Sequence, residues 1–383
     1  MLCKKTKYFT FLVLLLGLQG RGILYAQYNN PILKVLLFST SAQVILIDKK
    51  GMTYQGNDER VHYQKKLVVS RRNSEELDLN RKWRHRGSLM VQGNSILEVY
   101  DGRKRVRRRY EGKIVVKPYS NGLYVINHIP IESYLEGVLN AEISTQWNLE
   151  AVKAQSIIAR TFALYKRSER FEKPWHVTSG HGDQIYQGVN VSDQRGTQAI
   201  EATSGIVVTH KGFLAQTFYH SNCGGSTEDP GYLWNYSYPY LSIKEVPYGT
   251  EDPKYYWNKK ISEKELLSII KKTGTEIGSI KNIYISEKTQ SNRVYKLFFV
   301  GSKDSASMLA ADFRKYAGYG EFQSLLFDVI KVPGGFQFKG KGNGHGVGMC
   351  QWAAKEMADN GFTFDEILYF FYDDINLQFY SQG

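Results

Sequence analysis

The chain has 383 residues, and its 50 Lys and Arg against 37 Asp and Glu give a formal net charge of +13. Apolar residues make up 42% of it and aromatic residues 14%, which excludes a disordered chain and predicts roughly two or three packed domains. The 35 Gly and 9 Pro follow no fixed period, which excludes a collagen-like fibre. After the first 20 residues, no apolar stretch approaches the length that spans a bilayer.

Residues 1–26 have the pattern of an export signal. Lys4, Lys5 and Lys7 precede an apolar run that ends at Leu18, and Ala26 offers a cleavage point. An uncleaved membrane anchor is the alternative, although so short a run favours cleavage. No Cys follows the run, so no lipid anchor is indicated. We therefore expect the rest of the chain to work in the cell envelope, in a periplasm or on the outer face of the cytoplasmic membrane.

Positive charge is concentrated between Arg81 and Lys117, where twelve basic residues stand against three acidic ones. In a cytosolic protein such a segment would indicate nucleic acid, but export excludes that partner. Anionic envelope polymers or phospholipid surfaces remain, which implies peripheral association with the envelope. A solvated basic face without a ligand of its own is the alternative interpretation.

The N-terminal part, residues 27–110, reads as β-rich. Residues 31–39 and 42–48 are apolar, β-branched runs, and Lys49-Lys50-Gly51 after them predicts a turn. A further strand is predicted over 95–100. No helical period of any length appears before residue 131.

Two helices follow this region. The pattern predicts one helix over 132–142 and a second, capped by Asn148, that runs to about Ser168. Lys153 and Arg160 lie seven residues apart, on one stripe of the second helix. Such a stripe is usually solvated, but its apolar neighbours favour a stripe that lines a polar cleft.

The C-terminal half alternates between strands and helices. A small α+β insertion is predicted over about 255–332, with a helix that begins in a capping box at Ser262 and Glu265 and another from about Ser305. A Gly-rich loop over 340–348 precedes a helix from Met349 and a last helix that a second capping box starts. The elements predicted in this half are strands over 205–219 around a turn at 211–212, a helix over 262–272, strands over 280–286 and 293–300, and a helix that ends at 360–361.

Glu142 is the first candidate for chemistry. No Walker loop, dinucleotide fingerprint, Gly-x-Ser-x-Gly elbow or His-Glu-x-x-His helix is present, so nucleotide, serine hydrolase and zincin functions have no support. Glu142 ends an apolar helix and precedes Ile143 and Trp147, a setting that can raise a carboxyl pKa as a general acid requires. A solvated carboxyl at a helix end is the alternative.

Cysteine and histidine residues form the second candidate group. Beyond Cys3, only Cys223 and Cys350 are present, and His220 and His345 stand near them in the sequence. These four residues could form a zinc site, the two cysteines could form a disulfide, or both could be free thiols, because the spacing lacks a local Cys-x-x-Cys signature. The alternating glycines around His345 favour close backbone approach over a phosphate nest.

Five motifs resemble the SpoIID/LytB family, the stage II sporulation protein D and amidase-enhancer group. The similarity covers about residues 113–378, and the motifs stand in the order that the family has. They are Glu132-Ser-Tyr-Leu-Glu-Gly-Val-Leu-Asn-Ala-Glu142, Leu149-Glu-Ala-Val-Lys-Ala-Gln-Ser-Ile-Ile-Ala-Arg-Thr161, Asp183-Gln-Ile-Tyr-Gln-Gly188, Tyr219-His-Ser-Asn-Cys-Gly-Gly-Ser-Thr-Glu-Asp229 and Gly342-Asn-Gly-His-Gly-Val-Gly-Met-Cys-Gln-Trp352.

This resemblance implies an α+β fold, with a SpoIID/LytB domain over 111–383 that includes the insertion. Sporulation members are lytic transglycosylases that cleave peptidoglycan glycan strands and need no cofactor, whereas LytB-type members enhance a cell-wall amidase. In the catalytic branch the acid is the Glu that matches Glu142. The positions that match cleft residues, and so are implied to hold the sugar chain, are Lys153, Arg160, Gln184, Tyr186, His220, Ser221, His345 and Gln351.

The family also bears on the cysteines. Some members bind zinc through a His and two Cys near the motif of His220, but here only Cys223 lies close by in the sequence, so no metal is expected. Cys223 and Cys350 occupy positions where Ser is common in the family. Because their two motifs converge on one cleft in the family, the resemblance favours a disulfide between them.

Overall fold

The computed structural model describes residues 30–57, 59–102, 107–180 and 182–381. The predicted signal peptide, residues 1–26, and residues 103–106 of the basic segment lie outside the described residues. No helix in the described ranges is long and apolar enough to cross a membrane.

The N-terminal part forms a curled sheet of eleven strands. Alternate side chains of its strands are buried, as in β1, where Leu33 and Val35 are fully buried. The sheet runs in the order β11-β1-β10-β9-β6-β2-β3-β4-β5, with β7 paired to β2 and β8. The strands are β1 (Ile32–Thr40), β2 (Val44–Gln55), β3 (Val61–Arg71), β4 (Glu76–Leu79), β5 (Trp83–Arg86), β6 (Leu89–Gly93), β7 (Leu97–Asp101), β8 (Arg107–Tyr110), β9 (Lys113–Tyr119), β10 (Gly122–Pro130) and β11 (Val177–Thr178).

One predicted turn is wrong. Residues 49–51 lie inside β2, which continues to Gln55 through a shift of register between Ile47 and Met52. The Asp48 side chain stabilises this irregularity, since it accepts hydrogen bonds from the backbone N–H groups of Lys50 and Ser95, both at 2.8 Å. The sheet also continues past residue 110 into β9 and β10, and the domain boundary predicted there stays a prediction.

Both predicted helices are present as α1 (Ile131–Glu142) and α2 (Leu149–Glu169), and the Asn148 side chain caps α2 by accepting from the Glu150 N–H at 3.1 Å. Helix α2 lies between two hydrophobic cores. Val152 and Ala159 pack with the curled sheet, while Ile157 and Ile158 pack with the C-terminal elements. A helix buried on two sides has little surface left for a solvated stripe.

The second core is built from short strands and helices around α2. Strands β12 and β13 form the predicted hairpin around residues 211–212, β12 also pairs with the last strand, β22, and β14 pairs in parallel with β21. The elements of this part are α3 (Gln194–Ala202), β12 (Ile206–His210), β13 (Phe213–Leu214), β14 (Tyr219–His220), α4 (Gly231–Trp234), β21 (Met349–Cys350), α7 (Gln351–Asp359), α8 (Phe364–Phe371) and β22 (Asn376–Phe379), with a 3₁₀ turn at Gly188–Asn190.

The insertion has a core of its own and two three-stranded sheets, β15-β20-β19 and β16-β17-β18. Its predicted capping box at Ser262 is present. The predicted helix from about Ser305 begins later, because Ser305–Leu309 alternates in burial and pairs with β17. The elements are β15 (Tyr256–Ser262), α5 (Glu263–Ile270), β16 (Ile280–Lys288), β17 (Val294–Gly301), β18 (Ser305–Leu309), α6 (Ala310–Ala317), β19 (Phe327–Val332) and β20 (Gly335–Lys341), with a 3₁₀ turn at Lys271–Thr273. The predicted α+β class is confirmed.

Candidate active site

Glu142 is the last residue of α1, and its side chain is half-buried. One carboxylate oxygen accepts the backbone N–H of Ile185 at 2.7 Å, and the hydroxyl of Tyr219 also donates to the carboxyl. Burial raises the pKa of Glu142 above its usual value, and these two hydrogen bonds only partly oppose that rise. The group can therefore hold a proton at a pH where an exposed glutamate is ionised.

The Glu142 carboxyl borders a cavity of about 400 Å³. Three segments of the chain line it: the end of α1 with the residues that follow, the loop after β14, and the start of α7. Among the described residues, Glu142 is the one acidic group in the lining. The lining residues are Asn140, Ala141, Glu142, Ile143, Ser144, Trp147, Ser221, Gln351 and Trp352.

Parallel pairing of β14 with β21 explains why these segments meet. Tyr219 lies opposite Met349 and His220 opposite Cys350, so the residues that follow, Ser221 and Gln351, leave the strands side by side. The backbone N–H of Trp352 donates to the Ser221 carbonyl at 3.1 Å and fixes this arrangement. Sequence motifs separated by about 130 residues thereby form one wall of the cavity.

Two indole rings form an aromatic surface next to the carboxyl. The ring centroids of Trp147 and Trp352 are 5.1 Å apart at 57°, and both side chains are half-buried. Sequence reasoning assigned neither residue to the site, although Trp352 directly follows Gln351 in a motif that it did identify. It also missed Tyr219, whose contact with Glu142 arises from the β14–β21 pairing and has no local signal in the sequence.

The structure does not bring Arg160 to the cavity. Its guanidinium is fully buried and bonds both oxygens of the Glu132 carboxylate, at 2.8 and 2.7 Å, with a further bond to the Ile206 carbonyl. Lys153 is likewise absent from the lining and pairs with Glu150 at 2.7 Å. The apolar neighbours that suggested a cleft are instead the two cores around α2.

Gln184 and Tyr186 lie behind the carboxyl, and both are buried. The Gln184 amide accepts from the Tyr134 hydroxyl and donates to the Tyr219 oxygen, each at 3.1 Å. Because Tyr219 in turn donates to Glu142, Gln184 orients the tyrosine hydroxyl towards the acid. The Tyr186 hydroxyl donates to Asn127 of β10 at 2.8 Å, and its ring contacts that of Tyr134 on α1, with centroids 4.9 Å apart.

His220 and His345 are in contact near this site, with ring centroids 5.3 Å apart and ring planes inclined by 56°. Burial lowers the pKa of His220 well below its usual value and that of His345 to about 3. Nδ1 of His345 accepts the Val347 N–H at 3.0 Å, and Nδ1 of His220 lies 3.1 Å from the Val347 carbonyl. Both imidazoles are therefore neutral at physiological pH and act as hydrogen-bonding groups rather than charges.

The two cysteines lie next to His220, as free, buried thiols. Donor atoms of His220, Cys223 and Cys350 fall within 4.8 Å of one another, and the Cys223 N–H donates to Cys350 Sγ at 3.2 Å. The fold thus supplies the second cysteine that the local sequence lacked. Two thiols, one imidazole and an unpartnered His220 Nε2 among the described residues fit a zinc ion, which would join the two loops that carry Ser221 and Gln351. The disulfide stays a prediction.

None of the described basic residues of the segment 81–117 lines the Glu142 cavity. Arg84 and Arg86 lie on the edge strand β5, and five strands stand between β5 and β10 in the sheet order, whereas α1 follows β10. Arg109 lies elsewhere, with its backbone against Gly188. A role of the segment 81–117 in binding an anionic polymer stays a prediction.

The described lining combines one half-buried acid, two indoles and two side-chain amides, and apolar surface with a few polar groups is typical of a ligand-binding pocket. Residues 119–210 match the family model of the stage II sporulation protein, SpoIID, and residues 241–348 match a domain of unknown function, DUF8618. The chain belongs to the SpoIID/LytB family.

Relatives agree with this assignment. The chain is 30% identical to an uncharacterised protein of Brachyspira hyodysenteriae, over 75% of this chain and 77% of that one. It is 25% identical to the stage II sporulation protein D of Bacillus amyloliquefaciens, over 70% of this chain and 79% of the relative. It is 29% identical to the amidase enhancer of Bacillus subtilis, over 64% of this chain but only 40% of the relative. These names support a function related to the cell wall.

Proposed function

We propose that the protein is a peptidoglycan lytic transglycosylase that cleaves the β-1,4 bond between MurNAc and GlcNAc, with Glu142 as its general acid and base. The proposal rests on the Glu142 carboxyl, which lies at the edge of an open cavity and whose pKa is raised by burial. The N-terminal sequence pattern adds the expectation that the activity is exported to the cell envelope.

A single acid in the lining favours this reaction over hydrolysis. Hydrolytic glycosidases use two carboxyl groups, one as acid and one as base or nucleophile. A lytic transglycosylase needs only one carboxyl group, because the nucleophile, the C6 hydroxyl of MurNAc, belongs to the substrate. The cavity's one acidic group, among the described residues, matches that requirement.

The reaction can be written with one proton moving through one residue. Protonated Glu142 gives its proton to the glycosidic oxygen, and the bond from that oxygen to C1 of MurNAc breaks. The resulting carboxylate takes the proton of the MurNAc C6 hydroxyl, whose oxygen bonds to C1 and closes a 1,6-anhydro ring. No water is consumed and Glu142 ends protonated, ready for another turnover.

The surrounding side chains have roles in this scheme. Tyr219 donates to the carboxylate formed in the first step, and Gln184 holds the tyrosine in place. The Trp147 and Trp352 rings offer apolar faces against which sugar rings can pack, and the Gln351 and Asn140 amides offer hydrogen bonds to N-acetyl groups.

Mass spectrometry of soluble products tests the proposal. Purified protein is incubated with intact sacculi and with amidase-treated glycan strands, which also shows whether stem peptides must first be removed. We expect 1,6-anhydroMurNAc ends from the wild type and none from Glu142→Gln, which keeps the size of the side chain. Glu136→Gln, on the same helix but outside the cavity lining, is the control and should retain activity. Anhydro ends at the wild-type rate from Glu142→Gln would reject the assignment.

A noncatalytic amidase enhancer is the second candidate, and the similarity to the Bacillus subtilis protein of that name supports it. In that case the same cavity would bind glycan and the partner would be a cell-wall amidase. Sacculus binding without anhydro products, together with faster product release by an added amidase, would favour this function.

A further inference from the structure

A second cavity, of about 560 Å³, lies in the insertion and shares no lining residue with the Glu142 cavity. It forms where β15, β19 and β20 meet the turn between β16 and β17. Its lining includes one exposed aromatic ring, two side-chain amides and three lysines: Tyr256, Asn258, Asn292, Lys288, Lys339 and Lys341.

Strand register places four of these side chains on one face. In the antiparallel pair of β15 and β20, Tyr256 lies opposite Lys341 and Asn258 opposite Lys339. Residues two apart in a strand point to the same side, so the four form a compact block, and all four are exposed. The Tyr256 side chain is 78% exposed, which leaves a flat apolar ring open to a ligand.

The charge of this face is positive on balance. Lys288, Lys339 and Lys341 line the cavity against one acid, Asp328, which lies opposite Lys339 in the β19–β20 pair and 3.8 Å from Lys288. Lys339 and Lys341 form no ion pair with any residue in the described ranges. Residues 256–341 contain 15 Lys and Arg against 8 Asp and Glu, a net charge of +7. An anionic ligand complements this surface.

The face also adjoins the loop that leads into the Glu142 cavity. The Lys341 ammonium lies 3.7 Å from the position of a β-carbon at Gly225, and the Gly342 N–H donates to the Tyr255 carbonyl at 2.7 Å. Ser221, which lines the Glu142 cavity, is four residues before Gly225, a separation of at most about 14 Å along the chain. Both cavities therefore lie within reach of one extended polymer.

We propose that the insertion cavity binds a second stretch of the glycan strand whose neighbouring stretch occupies the Glu142 cavity. A sugar ring packs on Tyr256, Asn258 and Asn292 bond N-acetyl groups, and Lys339 and Lys341 bind the carboxylates of MurNAc and of stem peptides. The choice of an acidic, N-acetylated polysaccharide as ligand rests on the proposed function.

Binding to purified sacculi, measured by co-sedimentation with the whole protein, tests this inference. Lys339→Glu/Lys341→Glu should weaken binding about tenfold, or about 1.4 kcal/mol, and Tyr256→Ala alone should weaken it in the same direction. The control Lys264→Glu/Lys272→Glu makes the same change of charge on exposed residues of the insertion outside the cavity, and should bind as the wild type does.

Each result decides the inference. If both double variants lose sacculus binding equally, the effect is one of overall charge. If neither loses binding, the cavity is not used. Either result would overturn the inference. The same variants are also sedimented with vesicles of anionic phospholipid. If Lys339→Glu/Lys341→Glu weakens binding to the vesicles but not to sacculi, the cavity contacts a membrane and the inference is overturned. Co-sedimentation measures binding and does not require turnover. If the protein yields no anhydro ends, the proposed reaction is rejected, and the sedimentation assay still tests whether the insertion cavity binds glycan.

Discussion

Replacing Arg160 with Met separates a structural role on α2 from a role in the cleft. The structure buries this guanidinium completely and pairs it with both oxygens of Glu132, whose side chain is 15% exposed. Met fills much of the same volume but leaves the carboxylate without its main partner. Removing one member of a buried ion pair costs about 3–5 kcal/mol, and the partial exposure of Glu132 argues for the lower end, about 3 kcal/mol.

The assay is equilibrium unfolding in urea, followed by tryptophan fluorescence, together with sacculus binding of the folded variant. Lys153→Met is the matched control, seven residues earlier on α2, and should change the free energy of unfolding by about 1 kcal/mol or less because its pair with Glu150 is partly solvated. In the double variant Arg160→Met/Glu132→Gln the carboxylate is gone, so the two losses should not add, with a coupling of about 2 kcal/mol.

A structural role of Arg160 would be refuted if Arg160→Met unfolds with a free energy within about 1 kcal/mol of the wild type while its sacculus binding falls sharply. That result would mean that the guanidinium reaches the ligand, as the family resemblance implied, and that the pair with Glu132 is not the dominant contact.

Three further predictions concern the candidate active site. The pKa of Glu142 is raised in the folded protein, so the carboxyl lowers stability as pH rises through that pKa; Glu142→Gln should therefore raise the melting temperature at pH 8, and the gain should vanish at a pH below the usual value of 4.5. Tyr219→Phe removes a donor to the carboxylate and should raise that pKa further, which moves the pH profile of product formation to higher pH and lowers its maximum about tenfold. For the chain without residues 1–26, intact mass after thiol alkylation should show two modified residues, Cys223 and Cys350, in unfolded protein prepared without oxidant; protection of both that a reductant abolishes would show the disulfide, and protection in the folded protein that a chelator abolishes would show a metal.

The parts of the fold that the sequence predicts are those with local signals. Asn148 caps α2, Ser262 opens a capping box, and the apolar period of residues 132–142 predicts α1 within one residue of its start. The errors arise where a distant partner decides the conformation. Ser305–Leu309 is a strand because β17 offers it a pairing edge, and residues 49–51 stay in β2 because Asp48 and Ser95 hold the irregularity.

The site divides in the same way. The sequence indicates Glu142 by its place at the end of an apolar helix and by the family motif that ends there. The contacts around its carboxyl come from Ile185 and Tyr219, which are distant in the sequence, so the sequence left a solvated carboxyl open. The burial and pairing of Arg160 cannot be predicted from its own helix, because its partner Glu132 and the second core lie outside that helix. Tyr219 and Trp352 join the site only through the parallel pairing of β14 with β21, two strands of two residues each, which no periodicity in the sequence indicates.

The insertion contacts the loops that form the Glu142 cavity. Arg293, at the start of the insertion's strand β17, is buried, and its guanidinium donates to the carbonyls of Cys223 and Ser226 at 2.7 and 2.8 Å. A β-carbon at Gly346, where φ is +88°, would lie 2.5 Å from the same guanidinium, so the loop around His345 can take its position only with glycine there. One side chain of the insertion thus holds the two loops whose neighbouring residues, Ser221 and Gln351, line the Glu142 cavity. The geometry of the acid's surroundings therefore depends on the insertion, through the contacts of this one guanidinium with both loops.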